Sequence, residues 1–285
     1  MKTIIVTGAS SGIGLAVCKQ LFNAGHRVIG VGRDQERCQA AQSALGGECR
    51  FFTADLMHQA EVKRLAGELS AYLEVECGGE LYALVNNAGC VRSWYATSED
   101  GYEQQFALNH LAGFLLTHYL LKYLRAGQGR VLMTSSRSHK QMKMRWDDPM
   151  FKKGYHPLLA YKQSKLCNML FAYAFNDRFA NTGMRAYGVD PGLVRTDIGL
   201  KQTGGLVSFV WSQRMKGGLN PEIPAKTYAW LCGREEPPEG LYYCQCAEKK
   251  YNKEVCRENA KRFFIPFISV VPARKIFPFT AFLIA

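Results

Sequence analysis

The chain has 285 residues, enough to bury a large core, and a single α/β domain is expected at this length. Its formal net charge of +12 would allow weak attraction to nucleic acid or to an anionic membrane. No helix-turn-helix, RNA-binding or zinc-finger signature supports a nucleic-acid partner, so none is expected. The ten cysteines lack regular spacing and are predicted to be reduced thiols, and no metal site is expected.

The first predicted element is a strand over residues 2–7, followed by a glycine-rich turn and the helical pattern of residues 13–24. A strand that begins at residue 2 leaves no room for a secretory signal, so a cytoplasmic location is expected. The turn has the spacing G-x-x-x-G-x-G. Gly8 allows the tight turn, Gly12 lets the backbone approach a pyrophosphate, and Gly14 lets the helix pack on the strand. The pattern therefore indicates a dinucleotide site, the alternative being an ordinary βα connection.

Strands and helices alternate along the rest of the chain. Further strands are predicted near residues 27–32, 50–53, 81–86, 130–135, 185–189 and 240–244. Further helices are predicted near residues 34–45, 58–75, 100–125, 158–181 and 222–232. This alternation predicts a single Rossmann-type, doubly wound parallel sheet of about seven strands, with helices on both faces and ligands at the carboxyl ends of the strands.

The end of the second strand indicates which dinucleotide is bound. An NAD site usually has a carboxylate there, whereas this chain has Gly32 followed by Arg33. A guanidinium can bind a 2′-phosphate bidentately, so NADP(H) is preferred, with NAD(H) possible. Asp34 is expected to cap the next helix instead of binding the ribose.

Tyr161 and Lys165 lie four residues apart on a predicted helix and therefore share one face. The ammonium of Lys165, together with a cationic nicotinamide, could lower the pKa of Tyr161 towards neutrality and prepare it for proton transfer. Alone, the pair is more typical of an ordinary surface helix.

Six motifs in a consistent order complete the pattern. They are Thr7–Gly14, Asp55-Leu56, Asn86-Asn87-Ala88-Gly89, Asn109, Ser135-Ser136 with Tyr161–Lys165, and Pro191-Gly192 with Thr196. From residue 2 to about residue 245 the chain resembles the short-chain dehydrogenase/reductase family. Asn109-His110-Leu111, the long gap between Ser136 and Tyr161, and Tyr187–Thr196 most resemble its retinol dehydrogenase-like branch. Asp190 replaces the histidine or asparagine often found there, which departs from that branch.

The resemblance implies a site, residue by residue. The catalytic set is Asn109, Ser136, Tyr161 and Lys165. The cofactor-binding set is Gly8, Ser10, Ser11, Gly12, Ile13, Gly14, Arg33, Asp55, Leu56, Asn87, Ala88, Gly89, Tyr161, Lys165, Pro191, Gly192, Val194 and Thr196. Ser136 would bind the substrate oxygen beside a structural Ser135, and Asn109 would hold a helix carbonyl and a water that relays protons from Lys165.

These residues predict an NADP-dependent oxidoreductase that interconverts an alcohol and a carbonyl on a lipophilic small molecule, with tyrosine as the acid/base. The alternative is a non-catalytic dinucleotide-binding regulator or scaffold, although such proteins commonly lose the tyrosine or the lysine. A homo-oligomer, dimer or tetramer, is expected.

The 24 residues between Ser136 and Tyr161 are a long insertion that should overhang the substrate pocket. Its apolar residues could either wall a lipophilic pocket or pack the loop onto the protein. They are Met142, Met144, Trp146, Met150 and Phe151. His110 and His139 are not expected to be catalytic, because Tyr161 already provides the acid/base.

The predicted domain spans residues 1–245, includes a substrate loop at 192–221, and is followed by a C-terminal extension at 246–285. The end of the extension, residues 263–285, is apolar but is interrupted by prolines and an Arg-Lys pair, so a transmembrane anchor is not expected. It is predicted to cap the pocket or form a subunit interface, with peripheral membrane contact as the alternative.

Overall fold

The computed structural model describes residues 1–47, 49–195 and 217–270, with side chains as far as residue 263. In this part of the chain, eight strands form one sheet in the order β3-β2-β1-β4-β5-β6-β7-β8. The first seven are parallel, and β8 pairs antiparallel with β7. The strand order reverses between β1 and β4, which is where ligands bind in doubly wound sheets.

The predicted strands are present with small changes of boundary. The strands are β1 (Thr3–Thr7), β2 (Arg27–Gly32), β3 (Cys49–Thr53), β4 (Ala83–Asn86), β5 (Arg130–Thr134), β6 (Arg185–Val189), β7 (Tyr242–Cys244) and β8 (Ala247–Glu248). The predicted number of seven is one too low. The eighth strand has two residues and is joined to β7 by a tight turn through Gln245 and Cys246. It is too short to show the alternating apolar pattern by which a strand is predicted.

The helices alternate with the strands as expected. They are α1 (Gly12–Asn23), α2 (Gln35–Leu45), α3 (Gln59–Glu76), α4 (Gln104–Phe106), α5 (Ala112–Tyr119), α6 (Leu121–Ala126), α7 (Pro157–Arg178), α8 (Glu222–Gly233) and α9 (Arg257–Val270). A π-helical turn (Ala107–Leu111) separates α4 from α5, and a 3-10 helix (Arg137–Gln141) follows β5. The single helix predicted over residues 100–125 is therefore interrupted.

Two apolar clusters cover the two faces of the sheet. Along β1, Ile5 belongs to one cluster, whereas Ile4 and Val6 belong to the other, because successive side chains of a strand point to opposite faces. The first cluster includes residues of α3, α5 and α7, and the second includes residues of α1 and α8. This arrangement confirms the doubly wound α/β fold.

The described part of the extension packs on the first of these clusters. Val255 and Phe263 are buried in it, and Arg257 of α9 forms an ion pair with Asp177 of α7 (3.3 Å). Among the residues with described placement, no helix has the length and apolar character needed to cross a membrane. Residues 271–285 lie outside the described part of the chain, so the predicted role of the tail stays a prediction.

Candidate active site

The turn between β1 and α1 is built on three glycines that no other residue could replace without strain. Gly8 and Gly12 have φ values of +66° and +55°, which favour glycine. A Cβ on Gly14 would lie 2.1 Å from the carbonyl oxygen of Gly8, so a side chain there would force the helix away from the turn. Gly12 and Ile13, in the first turn of α1, line the cavity described below, where free helix N–H groups can bind an anion.

Thr7 connects this turn to the end of β4. Its hydroxyl accepts hydrogen bonds from the backbone N–H groups of Asn87 and Ala88, both at 3.0 Å. The side-chain amide of Asn87 in turn donates to the carbonyl oxygen of Thr7 (3.0 Å). The two strand ends at the switch point are therefore fixed relative to each other.

A cavity of about 470 Å³ lies along these strand ends. Eleven residues of the predicted cofactor-binding set line it: Gly8, Ser10, Ser11, Gly12, Ile13, Arg33, Asp55, Leu56, Asn87, Ala88 and Gly89. Gly14, Tyr161, Lys165, Pro191, Gly192 and Val194 are not among its described walls, and Thr196 falls outside the described residues. Arg92, Leu108 and Arg195 also line the cavity and were not predicted from the sequence.

The end of β2 does not offer the carboxylate that usually binds the adenosine ribose in an NAD site. A Cβ on Gly32 would lie 2.5 Å from the Cys38 sulfur, so this position has no room for a side chain. Asp34 is the N-cap of α2, as predicted, and its carboxylate accepts from the backbone N–H of Arg37 (2.9 Å). Arg33 is 60% exposed and lies 3.9 Å from Asp55, a loose pair that leaves the guanidinium accessible.

The predicted catalytic side chains meet at the ends of β5 and α7. Ser136 lies beside the Tyr161 hydroxyl and favours its ionised form, and the Lys165 ammonium lies 5.5 Å from the centre of the Tyr161 ring. Lys165 donates to the carbonyl oxygen of Thr134 (3.0 Å). The Ser135 hydroxyl donates to the backbone carbonyl of Lys165 (3.0 Å) and therefore has a structural role. The Ser136 hydroxyl is the one that faces Tyr161.

Burial dominates the proton affinities of the tyrosine and the lysine. It raises the pKa of Tyr161 above its usual value, and the Asp190 carboxylate adds to the effect. It also lowers the pKa of Lys165 to about 8. Removing a phenolate from water costs more than its protein neighbours return. At neutral pH the phenol is protonated and the lysine is mostly charged.

Asn109 faces inward, as its apolar neighbours indicated, but the carbonyl that it holds differs from the expectation. It lies in the π-helical turn and is 4% exposed, so it faces inward and not towards solvent. Its amide accepts from the N–H of Cys90 (2.7 Å) and donates to the carbonyl of Cys90 (3.0 Å). The carbonyl that it holds therefore belongs to the loop after β4 and not to a helix, because the widened turn directs the side chain towards that loop.

Asn168 is a site residue that the sequence analysis missed. Its amide donates to the carbonyl oxygens of Asn109 and Thr134, each at 2.9 Å, and its oxygen faces the buried ring of His110 (2.9 Å). One side chain thus joins the π-helical turn to the end of β5. Its position seven residues after Tyr161, on the same face of α7, was the available signal.

The segment after β6 is held by Asp190 and by residue 219. The Asp190 carboxylate accepts from the Gly192 N–H (2.9 Å) and from the Tyr242 hydroxyl (2.8 Å). Gly192 has a φ of +72°, and Leu219 pairs with the backbone of Leu193 (2.8 Å) and Arg195 (3.0 Å). Asp190 therefore shapes the turn where a histidine or asparagine is more usual.

The insertion at 137–156 packs onto the protein. Met142, Met144 and Phe151 are buried in the first apolar cluster, with Trp146 and Met150 packed against it, and none of the five lines the cavity. His139 is fully buried and bonded to the Ser136 carbonyl (2.5 Å). Burial lowers the pKa of His110 to about 4. Both histidines therefore sit in structural positions.

The same motifs are found in known proteins. A family model described as short chain dehydrogenase matches residues 2–204. The chain belongs to the short-chain dehydrogenase/reductase family. Human retinol dehydrogenase 13 is 33% identical over 273 residues, which cover 92% of this chain and 81% of that protein. Human retinol dehydrogenase 14 is 30% identical over 288 residues, covering 92% and 83%.

A solved structure has the same fold. The short-chain dehydrogenase from Sphingobium yanoikuyae in complex with NADPH has a TM-score of 0.65 and 22% identity, covering 85% of this chain and 86% of that one. The relatives place this member of the family in the retinol dehydrogenase-like branch. It is an oxidoreductase of the short-chain dehydrogenase/reductase type that acts on alcohol and carbonyl groups. The individual roles of the site residues stay predictions.

Proposed function

We propose that this protein is an NADP(H)-dependent oxidoreductase for lipophilic alcohols and carbonyls, with Tyr161 as the acid/base. The observation that carries the proposal is the position of the Tyr161 hydroxyl beside Ser136, with the Lys165 ammonium 5.5 Å from the centre of the Tyr161 ring. A carbonyl oxygen placed between the two hydroxyls would accept a hydrogen bond from each. A protonated phenol is the form that donates a proton in carbonyl reduction.

The bound nicotinamide supplies or accepts the hydride. The remaining tasks fall to side chains of this chain. Ser136 orients the substrate oxygen, Tyr161 gives or takes the proton, and Lys165 provides a positive charge held in place by the Thr134 carbonyl (3.0 Å). Asn109 and Asn168 hold the π-helical turn, the loop after β4 and the end of β5 together through their side-chain amides. The mechanism therefore relies on positioning and electrostatics.

The preference for NADP(H) rests on the end of β2. Gly32 has no room for a side chain, Asp34 is engaged as a helix cap, and Arg33 is exposed on the cavity wall. A 2′-phosphate could bind the Arg33 guanidinium there. Apart from the capping Asp34, the nearby carboxylate described at this position is that of Asp55, and Arg33 contacts it only loosely. The related structure solved with NADPH supports the same cofactor.

The lipophilic substrate class rests on side chains near the strand ends and on the relatives. Trp94, on the loop after β4, is 52% exposed, and Leu193, after β6, is 39% exposed. Large apolar side chains exposed on the segments that leave this edge of the sheet suit an apolar ligand. The curated relatives are named as retinol dehydrogenases, so retinoids are the first substrates to test.

The test is to follow NADPH absorbance with all-trans-retinal, steroid ketones, aliphatic aldehydes and a polar sugar-derived aldehyde. We expect the highest kcat/KM with one of the lipophilic carbonyls, and no turnover above background with Tyr161→Phe. Preference for the polar aldehyde would refute the substrate class. NADPH binding without turnover on any carbonyl would refute the proposed reaction.

A further inference from the structure

Arg92 is a buried guanidinium on the wall of the cavity that the glycine-rich turn also lines. It follows the Asn87–Gly89 segment by three residues, and 6% of it is exposed. Its Nε donates to the side-chain oxygen of Gln104 (2.6 Å) and its Nη1 to the carbonyl of Val91 (3.3 Å). These bonds fix one edge of the planar group. No described residue accepts from Nη2.

None of the described acidic groups forms an ion pair with Arg92. The Glu103 carboxylate is engaged by the N–H groups of Gln105 (3.0 Å) and Phe106 (2.7 Å) and by the Tyr155 hydroxyl (3.0 Å). Burial raises the pKa of the adjacent Cys90 thiol to about 12, so no thiolate balances the charge. The Glu103 carboxylate still interacts with Arg92 at longer range, but desolvating a guanidinium that lacks a direct ion pair costs free energy in a protein interior. An anionic ligand would offset that cost.

We propose that Arg92 binds an oxygen of the dinucleotide's pyrophosphate, adding a side-chain contact to those of the glycine-rich turn. This inference rests on the proposed function, because it requires a dinucleotide in the cavity. Arginine suits the task because its fork of donors matches phosphate oxygens, and Gln104 holds the Nε edge in place. Arg33, paired loosely with Asp55 at the end of β2, remains the candidate for the 2′-phosphate.

A phosphate of the cofactor is favoured over an acidic group of the substrate by the position of Arg92. The cavity that it lines includes Gly8, Gly12 and Ile13 of the phosphate-binding turn. Ser136 and Tyr161, where the substrate oxygen would bind, are not among the described walls of that cavity. Gly89 links the two regions, since a Cβ on it would lie 3.7 Å from the Lys165 ammonium.

The test separates the phosphate groups with ligand fragments. The affinities of NADPH, NADH, ADP-ribose and adenosine 2′-monophosphate are measured by calorimetry for the wild type, Arg92→Met, Arg92→Lys and Arg33→Ala. Arg125→Met, at an exposed position on α6, is the matched control. ADP-ribose has the pyrophosphate but no 2′-phosphate, and adenosine 2′-monophosphate has the reverse.

We expect Arg92→Met to weaken NADPH, NADH and ADP-ribose by a common factor of at least about tenfold, which is about 1.4 kcal/mol, and to leave adenosine 2′-monophosphate unchanged. Arg92→Lys should lose less, and Arg33→Ala should show the opposite pattern. If Arg92→Met does not fold, as judged by its melting curve, Arg92→Lys is used instead. Its affinity for ADP-ribose is then compared with its affinity for adenosine 2′-monophosphate.

Three results would overturn the inference. A folded variant that binds ADP-ribose as tightly as the wild type would assign Arg92 a structural role. Loss confined to NADPH and adenosine 2′-monophosphate would assign it to the 2′-phosphate, and a higher KM for acidic substrates alone would assign it to the substrate. If the wild type binds no dinucleotide, the proposed function itself fails, which the wild-type titration alone reveals.

Discussion

Two regions of the molecule are stabilised in different ways: an N-terminal wall that lines the cavity, and a C-terminal wall that packs against α7. The N-terminal wall (residues 3–14, 27–33 and 83–90) is fixed mainly by backbone: glycine conformations, close approach of a helix, and the Thr7 hydroxyl accepting two N–H groups. The C-terminal wall (residues 137–156 and 249–263) is fixed by side chains far apart in sequence, such as Asn252 donating to the carbonyl of His139 (2.7 Å). Short motifs encode the first wall, whereas the second depends on long-range packing.

Tyr161→Phe tests the acid/base residue on α7 and should have the largest effect. Removing the hydroxyl deletes the transferable proton but little volume, so kcat should fall by roughly a thousandfold. The NADPH dissociation constant, measured by fluorescence titration, should stay within about twofold of the wild type. Lys165→Ala should impair both kcat and NADPH binding. Retention of a tenth of the activity by Tyr161→Phe would contradict the acid/base assignment.

Gly14→Ala tests whether backbone geometry really fixes the N-terminal wall. Its Cβ would meet the Gly8 carbonyl at 2.1 Å, so we expect a loss of unfolding free energy of about 3 kcal/mol or more and loss of dinucleotide binding. Gly67→Ala is the matched control on the exposed side of α3, where a Cβ meets no atom within 4 Å. It should stabilise the protein by up to about 1 kcal/mol in urea unfolding. Equal effects of the two changes would be evidence against this account.

Asn252→Ala tests the long-range bonds of the C-terminal wall. Its amide donates to the carbonyl oxygens of His139 (2.7 Å) and Met142 (2.6 Å), and both would be left without that donor. We expect a loss of about 2 kcal/mol in unfolding free energy and a higher substrate KM, with NADPH affinity unchanged. Asn259→Ala, which removes a bond to the Glu254 carbonyl (2.9 Å), should cost less than about 1 kcal/mol. A change confined to NADPH affinity would show that the two walls are not separable in this way.

Arg33→Ala should have the smallest effect, confined to one phosphate at the edge of the N-terminal wall. NADPH affinity should fall by about tenfold more than NADH affinity, which corresponds to about 1.4 kcal/mol. The physical reason is that only NADPH offers the 2′-phosphate to this exposed guanidinium. Equal losses of NADPH and NADH in the same calorimetric titration would show that Arg33 does not recognise that phosphate.

The sequence alone determined the order of strands and helices, the glycine-rich turn, the Asp34 cap and the proximity of Tyr161 to Lys165. Each depends on residues within a few positions of one another, where helix and strand periodicity or a required φ leaves few options. The family motifs extended this to most of the residues around the cavity.

Tertiary structure decided the rest. Three features depend on which distant segments come together. They are the burial of Met142, Met144 and Phe151, the contact of Asn109 with the Cys90 backbone, and the bond that orients Arg92 through Gln104. Burial also sets the direction of the Tyr161 pKa in the protein alone. Desolvation depends on everything packed around a group, and a spacing of four residues specifies only one neighbour.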